Sequence, residues 1–193
     1  PFTMLVESYG WRGALGCDLL AGIVVLTLLF CFVADSPEQK VVHPKKTLEL
    51  GFVEGISLVI KKAQNWYCGL FTSLLNLPIF LLGALWGNAY LTQVHNVSKV
   101  NASLICSMLY IGMLLGSPFF GWFSDRIQNR KLPMFAGTCL CLGALLTVMN
   151  TANYQYMTLV MLFFLIGLGS SAQILSYPIV AESNSKALTG SAE

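Results

Sequence analysis

The chain has 193 residues, of which 55% are hydrophobic and only 10% are charged, whereas soluble domains carry about a quarter charged residues. The net charge of +2 is small and the basic residues lie in short loops, so the composition gives no indication of nucleic-acid binding. The six cysteines fall in or beside apolar stretches, without the paired spacing of a disulfide framework or a metal site. We therefore expect a membrane protein with no metal and no cofactor.

Five segments are long and apolar enough to cross a bilayer, which takes about 20 residues at a rise of about 1.5 Å each. Such segments must be helical, because hydrocarbon offers backbone polar groups no other partner. The sequence thus predicts an all-α, polytopic helical bundle. An apolar piece at residues 2–6 is interpreted as the tail of an earlier helix. The predicted spans are 14–33, 66–91, 100–123, 132–149 and 155–180.

Loops rich in Lys and Arg alternate along the chain with loops that are poor in them, and this alternation predicts the orientation of the chain in the membrane. Basic residues crowd residues 35–64 and 124–131, whereas 92–99 has one Lys and 150–154 has no charge. The predicted cytoplasmic segments are therefore 35–64, 124–131 and 181–193.

The inner loop 35–64 has an amphipathic pattern that begins at Thr47, a residue able to cap a helix. We expect a helix that lies on the membrane surface, with a mobile linker as the alternative. Asn65 is predicted to cap the span that follows.

Polar residues inside spans are candidates for function. Asp18 is the only carboxylate in a span, but it lies near the outer interface, so a solvated Asp and a proton or ion site both remain open. Asn76 is near the midplane and close to Pro78, which removes a backbone hydrogen bond and favours an opened helix. We predict that Asn76, with Trp86 and Tyr90, lines a substrate cavity; an interhelical hydrogen bond from Asn76 is the alternative.

In the last span, Gln173 and Tyr177 share one face just before Pro178 and are candidates for an inner gate. Two glycine pairs at four-residue spacing predict close helix packing: Gly83 with Gly87, and Gly112 with Gly116. His95, in an outer loop, is expected to be solvated rather than catalytic. No catalytic triad, zinc spacing or phosphate loop is present in the sequence, so we expect no enzymatic activity.

The charged turn between the third and fourth spans resembles the signature loop of the major facilitator superfamily, G-x-x-x-D-R-x-G-R-R/K. Gln128 and Asn129 depart from that pattern, which is usual for the weaker copy of this loop in the second half of the family's fold. The matching residues are Gly121, Asp125, Arg126, Arg130 and Lys131.

The family's fold has two halves of six helices each. The resemblance implies that the chain runs from the end of helix five to the loop before helix eleven. Residues 1–34 would then end the first half with the tail of helix five and helix six, 35–64 would connect the halves, and 65–193 would supply helices seven to ten. Truncation at both ends is the expectation.

The family resemblance also implies a secondary transporter that works by alternating access, with the charged turn as a conformational latch. Its expected partners are the lipid bilayer, a small-molecule solute with a coupled proton or sodium ion, and the remaining helices of the polypeptide. The expected location is the plasma membrane or the bacterial inner membrane. A non-transporting receptor or assembly subunit on a similar bundle is the alternative.

Overall fold

The structure is a computed structural model that describes residues 2–32, 52–150 and 155–184. Every regular element in these ranges is helical, so the all-α prediction is confirmed. The chain divides into two compact units, Pro1–Glu49 and Leu50–Glu193, which are described separately.

The first unit contains helix α1, Phe2–Phe32. The helix is interrupted at Gly10, whose φ of 70° and ψ of 171° are not helical. A positive φ is readily adopted by glycine because it has no Cβ. This break lies between the short apolar piece at residues 2–6 and the predicted span 14–33, and it falls near the start of the candidate span Ser8–Phe32.

The second unit consists of helices joined by short connections. The amphipathic helix α2 is present in the inner loop, while the predicted cap Thr47 lies outside the described residues. The elements are α2 (Phe52–Lys61), α3 (Ala63–Pro78), a π-helical segment (Ile79–Leu85), α4 (Gly87–Val94), α5 (Lys99–Ile127), α6 (Lys131–Asn150), α7 (Tyr156–Ser170), a 3₁₀ segment (Ser171–Leu175) and α8 (Ser176–Ser183).

Length and hydropathy identify five candidate membrane spans in the described residues, which confirms the number and order of the predicted spans. In the second unit they are Ala63–Leu85, Lys99–Ile127, Lys131–Asn150 and Tyr156–Ser183.

Two spans are interrupted near a proline. After Pro78 the backbone widens into the π-helical segment, which ends where the Trp86 N–H donates to the Leu81 carbonyl at 2.7 Å. The second span therefore does not run as one regular helix to residue 91. In the last span the 3₁₀ segment comes just before Pro178, whose missing N–H leaves the carbonyl of Ile174 without its helical donor.

Helix α7 lies at the centre of the packing, between α5 and α6. Leu159, Phe163 and Ile166 of α7 are fully buried, and they meet Ile105 and Leu109 of α5 in one apolar core.

Glycines allow α5 and α7 to approach backbone to backbone. A Cβ on Gly112 would lie 2.2 Å from the Phe164 carbonyl oxygen, and one on Gly167 would lie 2.0 Å from that of Leu109. A Cβ on Gly116 would lie 2.2 Å from the Ser171 hydroxyl. The predicted close packing at Gly112 and Gly116 is thus confirmed.

We expect Gly112→Ala to destabilise the protein, although alanine favours a helix over glycine by about 1 kcal/mol. The added methyl group would overlap the Phe164 carbonyl, and such overpacking costs roughly 1–3 kcal/mol. The measurement is the thermal unfolding midpoint of the full-length protein in detergent. Gly143→Ala is the matched control, because a Cβ there meets nothing within 4 Å and should leave the midpoint unchanged or raised. Equal effects of the two substitutions would contradict the close contact.

Candidate functional site

Polar side chains of the second unit concentrate where the α2–α3 junction, the α5–α6 turn and the C-terminus of α8 meet. We call this region the turn end. Gln128 terminates α5 in the left-handed conformation, with φ 52° and ψ 28°, and the Asn129 side chain accepts a hydrogen bond from the Lys131 N–H at 3.1 Å. Both residues that depart from the family pattern therefore form the turn itself. Gln128 occupies the position where the pattern has glycine, and its positive φ is the reason glycine suits that position.

One ion pair closes the turn end. Arg130 donates to the Glu182 carboxylate of α8 at 2.5 Å, with 27% of the Arg130 side chain and 63% of the Glu182 side chain exposed. Exposed pairs contribute roughly 0.2–1 kcal/mol, so this contact selects an arrangement more than it stabilises the fold. Glu182 was missed in the sequence, although it is the only acidic residue between Asp125 and Asn184.

A polar cavity of about 340 Å³ lies beside this ion pair. Ser124, Asp125 and Gln128 line it together with Arg130 and Glu182. Ser124 is only 2% exposed, and its hydroxyl has no hydrogen-bond partner among the described residues. The structure therefore brings Asp125 and Arg130, two of the predicted latch residues, to one cavity.

The other predicted latch residues have separate surroundings. The Arg126 guanidinium lies over the Trp122 ring, 5.7 Å from its centroid. Gly121 is half-buried with open space beside it, and Lys131 is exposed.

A reciprocal pair of amides joins the start of α3 to the end of α8. Asn184 Nδ2 donates to Asn65 Oδ1 at 2.9 Å, and Asn65 Nδ2 is 3.5 Å from Asn184 Oδ1. Asn65 Nδ2 also donates to the Val59 carbonyl, and Asn184 Nδ2 to the Val180 carbonyl. The prediction that Asn65 caps its own helix is wrong, since α3 begins at Ala63 and the Asn65 side chain reaches back to α2 instead.

The seam between α3 and α8 carries hydroxyl groups. Thr72 and Ser176 share a hydrogen bond of 2.6 Å, and Ser176 also donates to the Gln173 carbonyl at 2.7 Å. Tyr177, 47% exposed, lines a cavity of about 220 Å³ with Thr72, Ser73 and Ser176.

Gln173, the other inner-gate candidate, lies in the 3₁₀ segment. It is only 5% exposed, and its Oε1 has no partner among the described residues. A buried acceptor without a donor is energetically costly, so this oxygen is available to a polar group that enters the seam. The two gate candidates therefore differ in kind, since one is buried and the other open to solvent.

The cavity candidates are spread along the second span. Asn76 is half-buried in α3, before the π-helical segment, and Trp86 follows that segment with 67% of its surface exposed. The Tyr90 hydroxyl donates to the Val148 carbonyl of α6 at 2.9 Å. A cavity of about 280 Å³ beside Tyr90 has an apolar lining, and Asn76 is not among its residues.

The expectation that His95 is solvated is wrong. The ring is half-buried, its Nε2 lies 3.2 Å from the Tyr90 hydroxyl, and the two rings meet edge to face at 5.2 Å. Burial lowers the pKa of His95, so the ring is more fully neutral at physiological pH than a free histidine. In the first unit, Asp18 lies on an exposed face of α1.

Five apolar helical spans that carry few charges define a multi-pass α-helical membrane protein. The family model of the Major Facilitator Superfamily matches residues 2–192, and the chain belongs to this superfamily. The resemblance of the charged turn is thereby confirmed.

Two groups of relatives match the chain. A "Probable hexose phosphate transport protein" of Chlamydia muridarum is 23% identical over 65% of this chain and 33% of that protein. The "Membrane sensor protein UhpC" of Escherichia coli is 27% identical over 80% of this chain and 40% of that protein. The chain thus spans between a third and two fifths of the length of these relatives. No solved structure matches it.

We predict that Gln128→Gly stabilises the protein by up to about 1 kcal/mol, because a left-handed conformation costs a residue with a Cβ roughly 1–2 kcal/mol and the added freedom of glycine in the unfolded chain offsets part of the gain. Thermal unfolding measures the effect. In the control, Gln64→Gly in the first turn of α3, the same exchange should not stabilise, since Gln64 is helical. A lowered midpoint for Gln128→Gly would contradict the assigned turn conformation.

Proposed function

We propose that the protein containing this chain is a secondary transporter that moves a small polar solute by alternating access between two helical halves. Membership of the Major Facilitator Superfamily is the observation that carries this proposal. The interrupted second and last spans support it, because irregular backbone within a membrane helix suits a region that lines a cavity or bends. A bacterial inner membrane is the proposed location, in line with the bacterial sources of the relatives.

The proposed substrate class is a small polyhydroxylated solute, with sugar phosphates as its first members to test, in view of the names of the chlamydial relatives. The described spans carry Lys and Arg only near their ends, at Arg12, Lys99, Arg126 and Lys131. The interiors of these spans therefore offer no cation to a phosphate, whereas their amide and hydroxyl groups suit the hydroxyls of a sugar. Asn76, Trp86 and Tyr90 remain the proposed cavity residues, and Gln173 with Tyr177 the proposed inner gate.

The energy source of the proposed transport is a proton or sodium ion. Asp18 is the candidate in this chain, because it is the only carboxylate inside a predicted span and its exposed face on α1 leaves it accessible within its own unit.

The proposed latch combines the charged turn with the end of α8. Arg130 and Glu182 would hold the turn in one access state, and Asp125, across the shared cavity, would be a second acceptor for Arg130. A latch of this kind needs a weak contact, since a pair of about 1 kcal/mol can be broken and re-formed during each cycle.

A second candidate function is sensing without transport, favoured by the similarity to the UhpC sensor proteins. Flux of radiolabelled sugar phosphate into vesicles that contain the full-length protein separates the two functions. We expect flux that depends on an imposed ion gradient. Saturable binding without flux would favour the sensor.

We expect Asn76→Leu to weaken binding of the transported solute by roughly tenfold, because one lost hydrogen bond to a neutral group costs about 0.5–1.5 kcal/mol and leaves the solute hydroxyl without a partner. The measurement is the concentration of solute that gives half-maximal flux. Asn101→Leu is the control, since Asn101 is exposed in the first turn of α5. An unchanged half-maximal concentration for Asn76→Leu would remove Asn76 from the cavity.

We expect Arg130→Glu and Glu182→Arg each to change the transport rate severalfold, and the double variant Arg130→Glu/Glu182→Arg to recover much of it, because the ion pair is re-formed with reversed sign. Asp125→Asn should also change the rate without loss of membrane insertion. Transport rates are compared at equal amounts of protein in the membrane. Additive losses in the double variant would show that the pair itself is not the latch.

A further inference from the structure

A cleft of about 610 Å³ opens at the turn end and shares Gln128 and Arg130 with the polar cavity. It lies between the first two turns of α3 and the start of α6, and Ile179 of α8 also lines it. The α5–α6 turn forms its rim. We call it the turn cleft.

The turn cleft has a polar rim and apolar walls. Gln128, Arg130 and Lys131 contribute the rim, whereas Phe71 and Met134 line the walls deeper along α3 and α6. Phe71 and Met134 belong to the candidate spans Ala63–Leu85 and Lys131–Asn150, whereas Gln128 and Arg130 lie in the turn between spans. We therefore expect the walls to lie deeper in the bilayer than the rim.

The depth follows from helix geometry. Phe71 is seven residues into α3 from Gln64, the residue of that helix nearest the rim, which corresponds to about 10 Å along the axis. A headgroup at the rim would therefore place the upper part of a hydrocarbon chain against Phe71.

The rim is positively charged. Arg130 and Lys131 are the charged residues among those that line the turn cleft, and none of the described lining residues is acidic. Arg130 is paired with Glu182, which does not line the cleft, while Lys131 is exposed. A free anion would satisfy the rim only, and a neutral apolar group would satisfy the walls only. The combination fits an anionic amphiphile.

We propose that the turn cleft binds an anionic phospholipid of the surrounding leaflet, with its phosphate at Arg130 and Lys131 and an acyl chain along Phe71 and Met134. Basic pockets between membrane helices recognise anionic headgroups in this way, because the charge attracts the phosphate while the helices bury the chain. This site does not depend on the proposed transport function, since binding is measured without flux.

Arg130 connects this site to the ion pair with Glu182. A phosphate at the rim competes with the Glu182 carboxylate for the same guanidinium, so an occupied turn cleft weakens the contact between the α5–α6 turn and α8. The lipid composition of the membrane would thereby bias the arrangement of the turn end.

The test uses full-length protein that is purified in detergent, delipidated and titrated with dioleoyl phosphatidylglycerol or dioleoyl phosphatidylcholine, with bound lipid counted by native mass spectrometry. We expect the protein to bind the first molecule of phosphatidylglycerol at least tenfold more tightly than the first molecule of phosphatidylcholine. Lys131→Gln should weaken it roughly fivefold, the usual effect of one basic residue at an anionic surface. Arg126→Gln removes the same charge from the same turn, but Arg126 lies over Trp122 and does not line the cleft, so binding should be unchanged.

Met134→Trp tests the walls, because it fills the turn cleft and keeps every charge. It should weaken phosphatidylglycerol binding at least as much as Lys131→Gln does. If Met134→Trp lowers the thermal unfolding midpoint of the lipid-free protein, Ile179→Phe replaces it as the variant that fills the cleft. Glycerol 3-phosphate, which has the anion without the chain, should not compete at the lipid concentrations used.

Three results would overturn the proposal. Equal losses for Arg126→Gln and Lys131→Gln would indicate diffuse surface charge instead of a cleft. Unchanged binding in both wall variants, or competition by glycerol 3-phosphate, would reduce the site to a free-anion contact. Equal binding of the two lipids would exclude recognition of the headgroup charge.

Discussion

The backbone contact between α5 and α7 is the interaction on which the rest of the second unit depends. Lipid tails are as apolar as leucine side chains, so membrane helices associate through close van der Waals contact and not through exclusion of water. Gly112 and Gly167 bring the two backbones within direct reach, and this closeness lets Leu109 and Phe163 be fully buried. The same closeness continues at Gly137 and Gly169, where α6 approaches the end of α7.

Close packing of this kind leaves little room for irregular backbone, so the irregular segments lie outside the backbone contacts of Gly112 and Gly167. The 3₁₀ segment follows directly after the glycine contacts of α7; it contacts α3, α5 and α6, and Gln173 within it is buried. Buried polar side chains are therefore concentrated in this part of the span, where Ser170, Ser171 and Ser176 accompany Gln173. The rigid part of the helix and its polar part are thus consecutive, and a movement of α8 would act on the 3₁₀ segment before it disturbed the core.

Much of the fold could be predicted from the sequence, because the constraint of the bilayer is strong and local. Five spans, the amphipathic α2, the break before the first predicted span and the Gly112–Gly116 packing all follow from composition, periodicity and the positions of glycine and proline.

The contacts of the turn end are harder to predict from the sequence. The family pattern marks Gln128 as a departure, but it does not predict the left-handed conformation of that residue. Asn65 is predicted to cap its own helix, because sequence patterns connect a capping residue only with its near neighbours in the chain. Its partner Asn184 is 119 residues away in the chain, and no local pattern connects the two. Glu182 escaped notice for the same reason, although its isolation as an acidic residue was a usable signal.

The turn end also explains how one arginine can serve two sites. Arg130 lines both a polar cavity that contains two carboxylates and a cleft whose lining contains none. A guanidinium has five donors in a fixed plane and can bind acceptors on more than one edge, which a lysine ammonium cannot do with the same geometry. The ion pair with Glu182 uses one edge. Because that pair is exposed and weak, a second acceptor does not need to displace it completely to shift the position of the turn; it needs only a comparable interaction energy. Regulation by a surface ligand is therefore physically accessible at this position, whereas the glycine contacts of α5 and α7 leave no comparable freedom in the core.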